Sequence, residues 1–327
     1  MTGLICLALL ATSCRRLPYA PPTVKPTITP TPRSTALPPI PTPVPLGSAK
    51  NPLHIVFVAL PDVASQATPD ADATEEPTSA QAASDLEKAL LDAAQMTVKV
   101  DVVTSDAEAL AALCASPKGT ISAAWMGGLA YAAAFAQACG SAALQIQRGN
   151  STGDQARIIT GSDKITAIAD LADHTFCRLG YSDIYSWLIP SLMIHSGGVA
   201  DSDLKAINDY TDASVMIGDV VAGKCDAAGI SASAFDDLAN ASARTSLRSL
   251  QQSATIPFEV LVVPAQLALA EQQQLSAALI AIGNGTRAGT LHPLLAQDQV
   301  IAASDDDLSG LRSFVSGAGI DLAQAGN

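Results

Sequence analysis

The globular part of this chain, residues 52 to 327, predicts an α/β fold of two lobes, each a mixed sheet flanked by helices. Three observations carry that prediction. Short apolar strands alternate with helix-period segments from residue 53 to residue 147, the alternation restarts at 157, and a late extended segment returns after the second run. Strands that alternate with helices pair side by side through crossovers and bury both sheet faces. With 327 residues and 48% hydrophobic content, the chain can build one large or two medium domains with real cores.

The elements follow in order. LHIVFVAL (53–60) is the first strand, closed by Pro61, and the acidic, Thr- and Ala-rich SQATPDADATEEPTSAQ is a surface loop. SDLEKALLDAAQ is a helix capped by Ser84, with Leu86 and Leu90 on one face. VKVDVV, DAEALAALCAS, TISAAWMGG, LAYAAAFAQACG and AALQIQ then continue strand, helix, strand, helix, strand. The second run is RIITGS, the helix ITAIADLA, TFCRLG, a helix starting near Ser182, KAINDY, the helix ASVMIGDVVAG and the strand KCDAAGIS. SLRSLQQSATIPFEVLVVP is the extended return, and two helices and the tail SDDDLSGLRSFVSGAGIDL end the chain.

The first residues, MTGLICLALLATSC, hold an apolar run too short to span a bilayer, followed by small residues and Cys14. This is the pattern of an export signal over residues 1–14 with an imperfect lipoprotein box, so Cys14 is expected to be lipidated; a plain cleaved signal is the alternative. LPYAPPTVKPTITPTPRSTALPPIPTPVP holds more than half of the 20 prolines, and proline this dense favours extended polyproline II over a packed core. Residues 15–51 are therefore a semi-rigid spacer that holds an exported body off the outer face of a membrane.

Residues 1–51 carry five basic residues and no acidic one, which leaves 13 Lys and Arg against 31 Asp and Glu in the body. A body this acidic, without a basic stripe, excludes nucleic acid as a partner. GNSTG (149–153) matches the nucleophile-elbow string G-x-S-x-G, but that elbow needs a strand before it and a helix immediately after. Here a strand follows, no histidine is placed as base for Ser151, and no phosphate-loop, dinucleotide or HExxH motif occurs. Neither an enzyme nor a cofactor is expected, and the four scattered histidines with no CxxC spacing offer no metal site. Cys114, Cys139, Cys177 and Cys225 are even in number in an exported chain and suggest two disulfides, with free buried thiols as the alternative.

Five stretches in order resemble the substrate-binding proteins of phosphate/phosphite/phosphonate-type ABC transporters. They are LHIVFVALPD, AAWMGGLAYAAA (123–134), IADLADHTFCRLGYSDIYSWLIPSL (168–192), DASVMIGDVVAGKCDAAGIS (212–231) and SATIPFEVLVVPAQL (253–267), with SDDDLSGLRSF like the family's ending. The resemblance implies a type II periplasmic-binding-protein fold. Residues 52–150 and 255–327 would form lobe 1 and 151–254 lobe 2, joined by two crossovers with a small molecule trapped between them. It further implies a membrane permease as partner, a monomer, and the disulfide pairs 114–139 and 177–225.

The family usually has a Ser-Thr-Ser-Gly run at a helix N-terminus where this chain has Asp183, Ile184, Tyr185 and Ser186, after Ser182. Backbone N–H groups and hydroxyls there suit an oxyanion. A carboxylate in the same place repels one by roughly 4 kcal/mol at an effective dielectric constant of 20. The resemblance places Tyr131 at a cleft-facing tyrosine and Asp212 at an acidic position that contacts an amino group in some members. Trp125, Tyr185 and Glu259 complete an expected set of aromatic and acidic groups suited to an ammonium. Arg157 falls near a ligand-facing family serine and would take an acid group, or else pair with Asp183. The expected ligand is phosphonate-like or, given the altered pocket, amine-bearing or zwitterionic. The competing reading is a sensing or degenerate module that partners a membrane receptor.

Overall fold

The computed structural model describes residues 44–60, 78–238 and 241–318; the expected signal, the expected lipidation at Cys14 and most of the spacer lie outside them. Thirteen strands and ten helices occur among the described residues, in two principal sheets.

The first sheet contains β1 (Leu53–Val58), β2 (Val98–Val103), β3 (Ser122–Met126), β4 (Ser141–Gln147), β12 (Val260–Val263) and β13 (Gln299–Ala302). Its spatial order is β13-β4-β12-β3-β1-β2, with β1 parallel to β2 and β3, and β12 antiparallel to β3 and β4. Strand alternation divides its side chains between two apolar layers. Leu53, Ile55, Phe57, Ala123, Trp125 and Leu261 face one layer with α1 (Ser79–Ala94) and α8 (Leu269–Asn284). Val56, Ala124, Met126, Val260 and Val262 face the other, with α2 (Asp106–Ala115), α3 (Gly128–Ala136) and α10 (Ser309–Gly317).

The second sheet orders β10 (Arg248–Gln252), β6 (Ala156–Thr160), β9 (Ala227–Ser231), β7 (Thr175–Arg178) and β8 (Ala206–Asp209). β7 is parallel to both β8 and β9, while β6 runs antiparallel to β9 and β10. On one face Ile159, Cys177, Ala228 and Ile230 pack with α5 (Ala213–Val221) and with Phe235 of α6 (Ala232–Leu238). On the other, Ile158, Phe176 and Ala227 pack with α4 (Ile189–Ser196) and Trp187. Cys114 is bonded to Cys139, and Cys177 to Cys225.

Two short strands, β5 (Gly153–Asp154) and β11 (Ile256–Pro257), pair antiparallel on the two chain passages between the principal sheets. A Cβ on Gly153 would lie 2.1 Å from the Ile256 carbonyl oxygen, so this pair closes only with glycine.

Local structure departs from the sequence reading in several places. α1 starts five residues before Ser84, because Thr78 accepts from the Gln81 N–H and provides the cap. ITAIADLA forms only a 3₁₀ turn at Ile168–Leu171, since the Asp170 carboxylate holds the Thr166 and Ala167 N–H groups in a tight loop. The tail region hides an edge strand, β13, before α10.

Candidate ligand-binding site

The helix that begins near Ser182 opens with a single π turn, Ile184–Leu188, and continues as α4. Asp183 is its N-cap: Oδ1 accepts from the Ser186 N–H at 2.6 Å, and the Asp183 carbonyl accepts from both Trp187 and Leu188. An inserted residue of this kind often sits at a functional site. The turn rests directly on β9, because Gly229 faces the Ser186 carbonyl and a Cβ there would be 2.2 Å from that oxygen.

The structure separates the sequence-expected site residues. Ser182 is exposed, and Asp183 and Tyr185 are half-buried. Tyr185 lies beside Asp154 of β5 and Arg148, and burial together with the Asp154 charge pushes its hydroxyl up to about 12. Ser186 is fully buried, and its hydroxyl accepts from the Leu179 N–H at 2.9 Å, so it secures the turn to β7 and offers nothing outward.

Four of the expected residues are engaged within the protein. Trp125 is fully buried and stacks on Phe57 at 6.4 Å; alternation along β3 sends it to the α1/α8 layer, away from the other candidates. Tyr131 is also fully buried, and its hydroxyl donates to Asp305 at 3.0 Å and accepts from Arg312 at 2.7 Å, so α10 occupies the group expected to face a ligand. Burial pushes that hydroxyl up to about 12 as well. Arg157 shares a sheet face with Ile159, pairs with Asp236 at 3.2 Å and lies 5.2 Å over the Phe235 ring; it makes no pair with Asp183. Asp212 caps α5, accepting from Ser214 and Val215, and these bonds hold its carboxyl below the usual carboxylate range.

Glu259 sits between β11 and β12, partly buried, without a hydrogen-bond partner for its carboxyl among the described residues. Burial and the charge of Asp106 push it up to about 8, against the opposing pull of Arg148. Asp106 meanwhile accepts from the Gly127 N–H at 2.9 Å, at the start of α3. Arg148 donates through Nε to the Ala296 carbonyl and through Nη2 to the Leu295 carbonyl, and lies 4.8 Å over Phe258.

Sequence reasoning missed Asp106, Asp154 and Arg148, which the crossovers bring near Glu259 and Tyr185. It also missed Arg178, whose Nε donates to Asp209 at 2.6 Å at the ends of β7 and β8. The register of neighbouring strand ends was the available signal. Chemically, the helix N-terminus that would receive an oxyanion already carries a carboxylate of the chain itself, Asp183, while Asp106 accepts from the N–H of Gly127, the residue just before α3. No group of three or more metal-ligating side chains occurs among the described residues, and none of their helices is long and apolar enough to cross a membrane.

Among curated proteins none matches the chain in sequence. Its fold is similar to that of XAC2383 from Xanthomonas citri bound to chloride ion, with a TM-score of 0.55 and 15% identity over 82% of this chain and 97% of that one. The same protein bound to ATP gives 0.55 at 14% identity, again over 82% and 97% of the two chains. A binding protein component of an ABC phosphonate transporter from Pseudomonas aeruginosa covers 82% of this chain and 87% of its own, at 17% identity and a TM-score of 0.48. The family model for the ABC-transporter phosphonate periplasmic substrate-binding protein matches residues 69–308, well over half of the sequence. With its type II periplasmic-binding-protein fold, the chain belongs to the phosphonate-type substrate-binding proteins of ABC transporters.

Proposed function

We propose that this chain is the exported, lipid-anchored solute receptor of an ABC importer, and that its ligand is a small amine-bearing acid. Residues 52–150 and 255–327 act as one lobe and 151–254 as the other; the membership of the two sheets and the β5/β11 pair between them support this division. Closure of the lobes on the ligand creates the surface that a permease recognises. The Pro-rich spacer and Cys14 tether the receptor at the membrane, and the apolar run before Cys14 supports that reading.

The observation that carries the ligand class is the Asp183 carboxylate on the Ser186 N–H at 2.6 Å. The helix end that suits an anion is filled from within, and Oδ2 of the same group is left to face a cation. Asp154, Tyr185 and partly buried Glu259 add acidic and aromatic character near the crossovers.

A thermal-shift panel on the full chain tests the proposal with methylphosphonate, 2-aminoethylphosphonate, amino acids and betaines. A ligand at 100 times its dissociation constant adds about 2.7 kcal/mol of stability, which is readily seen. Stabilisation by amine-bearing acids supports the proposal, while stabilisation by methylphosphonate alone overturns it. A response to no compound favours the degenerate-module reading, which the internally satisfied Tyr131 hydroxyl and the Asp183-capped helix end also favour.

A further inference from the structure

Arg178 is the last residue of β7 and Asp209 the last of β8, and the two are register partners in a parallel pair. Open α/β sheets bind their ligands beyond the carboxyl ends of such strands. The Arg178 guanidinium carbon lies 4.5 Å over the ring of Trp187 and 5.2 Å over that of Tyr181, and Asp209 accepts from Nε at 2.6 Å. Its side chain is only 11% exposed. Yet Nη1 and Nη2 have no acceptor among the described residues.

That combination is specific. A guanidinium held by two rings and one carboxylate has a fixed plane, and its unused edge presents two parallel N–H donors to whatever arrives. Such a fork matches an acid group that offers two oxygens, a carboxylate or a phosphonate. Neither nitrogen is among the buried atoms left without a partner, so an arriving acceptor can reach both at once. Tyr181, 72% exposed in the unliganded protein, is a large aromatic ring for a bound molecule to cover. Of the other arginines discussed, Arg148 gives Nε and Nη2 to carbonyls, and Arg157 pairs with Asp236 through Nη1 while its Nε is buried without a partner among the described residues.

We propose that Arg178 receives the acid group of the ligand, with Tyr181 as the ring that closes over it, while the Asp183 side of the same loop receives the amine. This rests on the reading of the chain as a small-molecule receptor and deepens it. The anion site has moved from the helix N–H groups, which Asp183 now fills, to a side-chain fork five residues earlier in sequence.

The test is ¹⁵N NMR of the arginine side chains in the full chain, with the Arg178 Nε–H signal assigned by its loss in Arg178→Lys. Methylphosphonate, 2-aminoethylphosphonate, glycine betaine and a simple alkylamine are titrated in turn. An acid-bearing compound is expected to shift the Arg178 signal, and Arg178→Lys, which keeps the charge and loses the fork, weakens that compound's binding roughly tenfold or more. Tyr181→Ala, at an exposed position, weakens it by a smaller factor without lowering the melting temperature of the free protein. An acid that stabilises the chain but leaves the Arg178 signal unmoved overturns the inference and leaves the receptor reading standing. The same holds if the alkylamine binds as well as its acid-bearing counterpart. If no compound moves either the signal or the melting temperature, both readings fall.

Discussion

Arg312 and Arg178 each lie over an aromatic ring and beside an aspartate, one associated with each sheet, yet they are finished differently. Arg312 stacks 4.1 Å over Phe135, donates to the Tyr131 hydroxyl and also to the Asp305 carbonyl. Tyr131 and the Ala142 N–H both donate to Asp305 Oδ1, so the tyrosine hydroxyl and the aspartate are both answered inside the protein. Arg178 has its rings and its aspartate but keeps two donors open. The first cluster fastens α10 to α3 and the sheet; the second has the form of a receptor. The same residue types therefore divide according to whether the outer nitrogens of the guanidinium are tied to the protein: Arg312 Nη1 is held twice, whereas neither Nη1 nor Nη2 of Arg178 is held among the described residues.

The largest expected effect removes the second cluster's support. Gly229→Ala places a methyl 2.2 Å from the Ser186 carbonyl oxygen, on backbone that has no room to retreat. The π turn must lift from β9, and Trp187 with it, at a cost of about 3 kcal/mol or more. Chemical denaturation should show that loss, and ligand binding should go with it. A near-native midpoint would show that the turn is not seated as described, and the receptor half of the comparison would lose its base.

The next effect separates the clusters directly. Arg312→Ala leaves the buried Tyr131 hydroxyl without its donor and removes the cation from Phe135, for a loss of about 2–3 kcal/mol. Arg178→Lys in the free protein should cost about 1 kcal/mol or less, since Asp209 is well solvated and the charge is kept. Equal losses in the two variants would break the distinction.

How much of this was legible in the sequence follows from the same two clusters. The alternation of strands and helices was legible because period-2 and helical patterns survive in LHIVFV and VKVDVV as in α1. The late return segment was legible for the same reason, in VLVV. Trp125 was expected at the mouth as a strand-end tryptophan and Tyr131 from the family resemblance, and the structure buries both. The shared face of Trp125 and Ala123 along β3, which sends both to the α1/α8 layer, was in the sequence all along. Arg178 was not legible: its role depends on Tyr181, Trp187 and Asp209, and only the parallel register of β7 with β8 brings the last of these alongside. The π turn was equally hidden, since one extra residue per turn leaves no mark on hydrophobic spacing.

Glu259 offers a medium-sized effect near the crossovers. Its carboxyl is raised from 4.5 to about 8, chiefly by burial and then by Asp106. The folded state therefore holds a proton that the unfolded state releases, so this stability is fully present below about pH 4.5 and is lost as pH rises through about 8. Over that window the loss should be on the order of 2 kcal/mol, and Glu259→Gln should flatten it. The denaturation midpoint from pH 5 to pH 9 reads this directly; an unchanged slope in the variant would place the titration elsewhere.

The smallest effect on stability is the most informative about the ligand. Asp183→Ser exchanges one good N-cap for another, so the free protein should change by about 0.5 kcal/mol or less. What changes is charge: the helix end regains an opening for an oxyanion, and the carboxylate proposed to face an amine is gone. Binding of 2-aminoethylphosphonate should weaken, and methylphosphonate, held by Arg178 and the freed Ser186 N–H, should begin to bind. If the variant keeps the parent's preference, Asp183 is a cap and nothing more, and the discrimination between amine and simple acid has to come from Asp154 and Glu259 near the crossovers. If the preference reverses while stability holds, the open cluster around Arg178 is shown to read only the acid end of the ligand, with its neighbour five residues on reading the other.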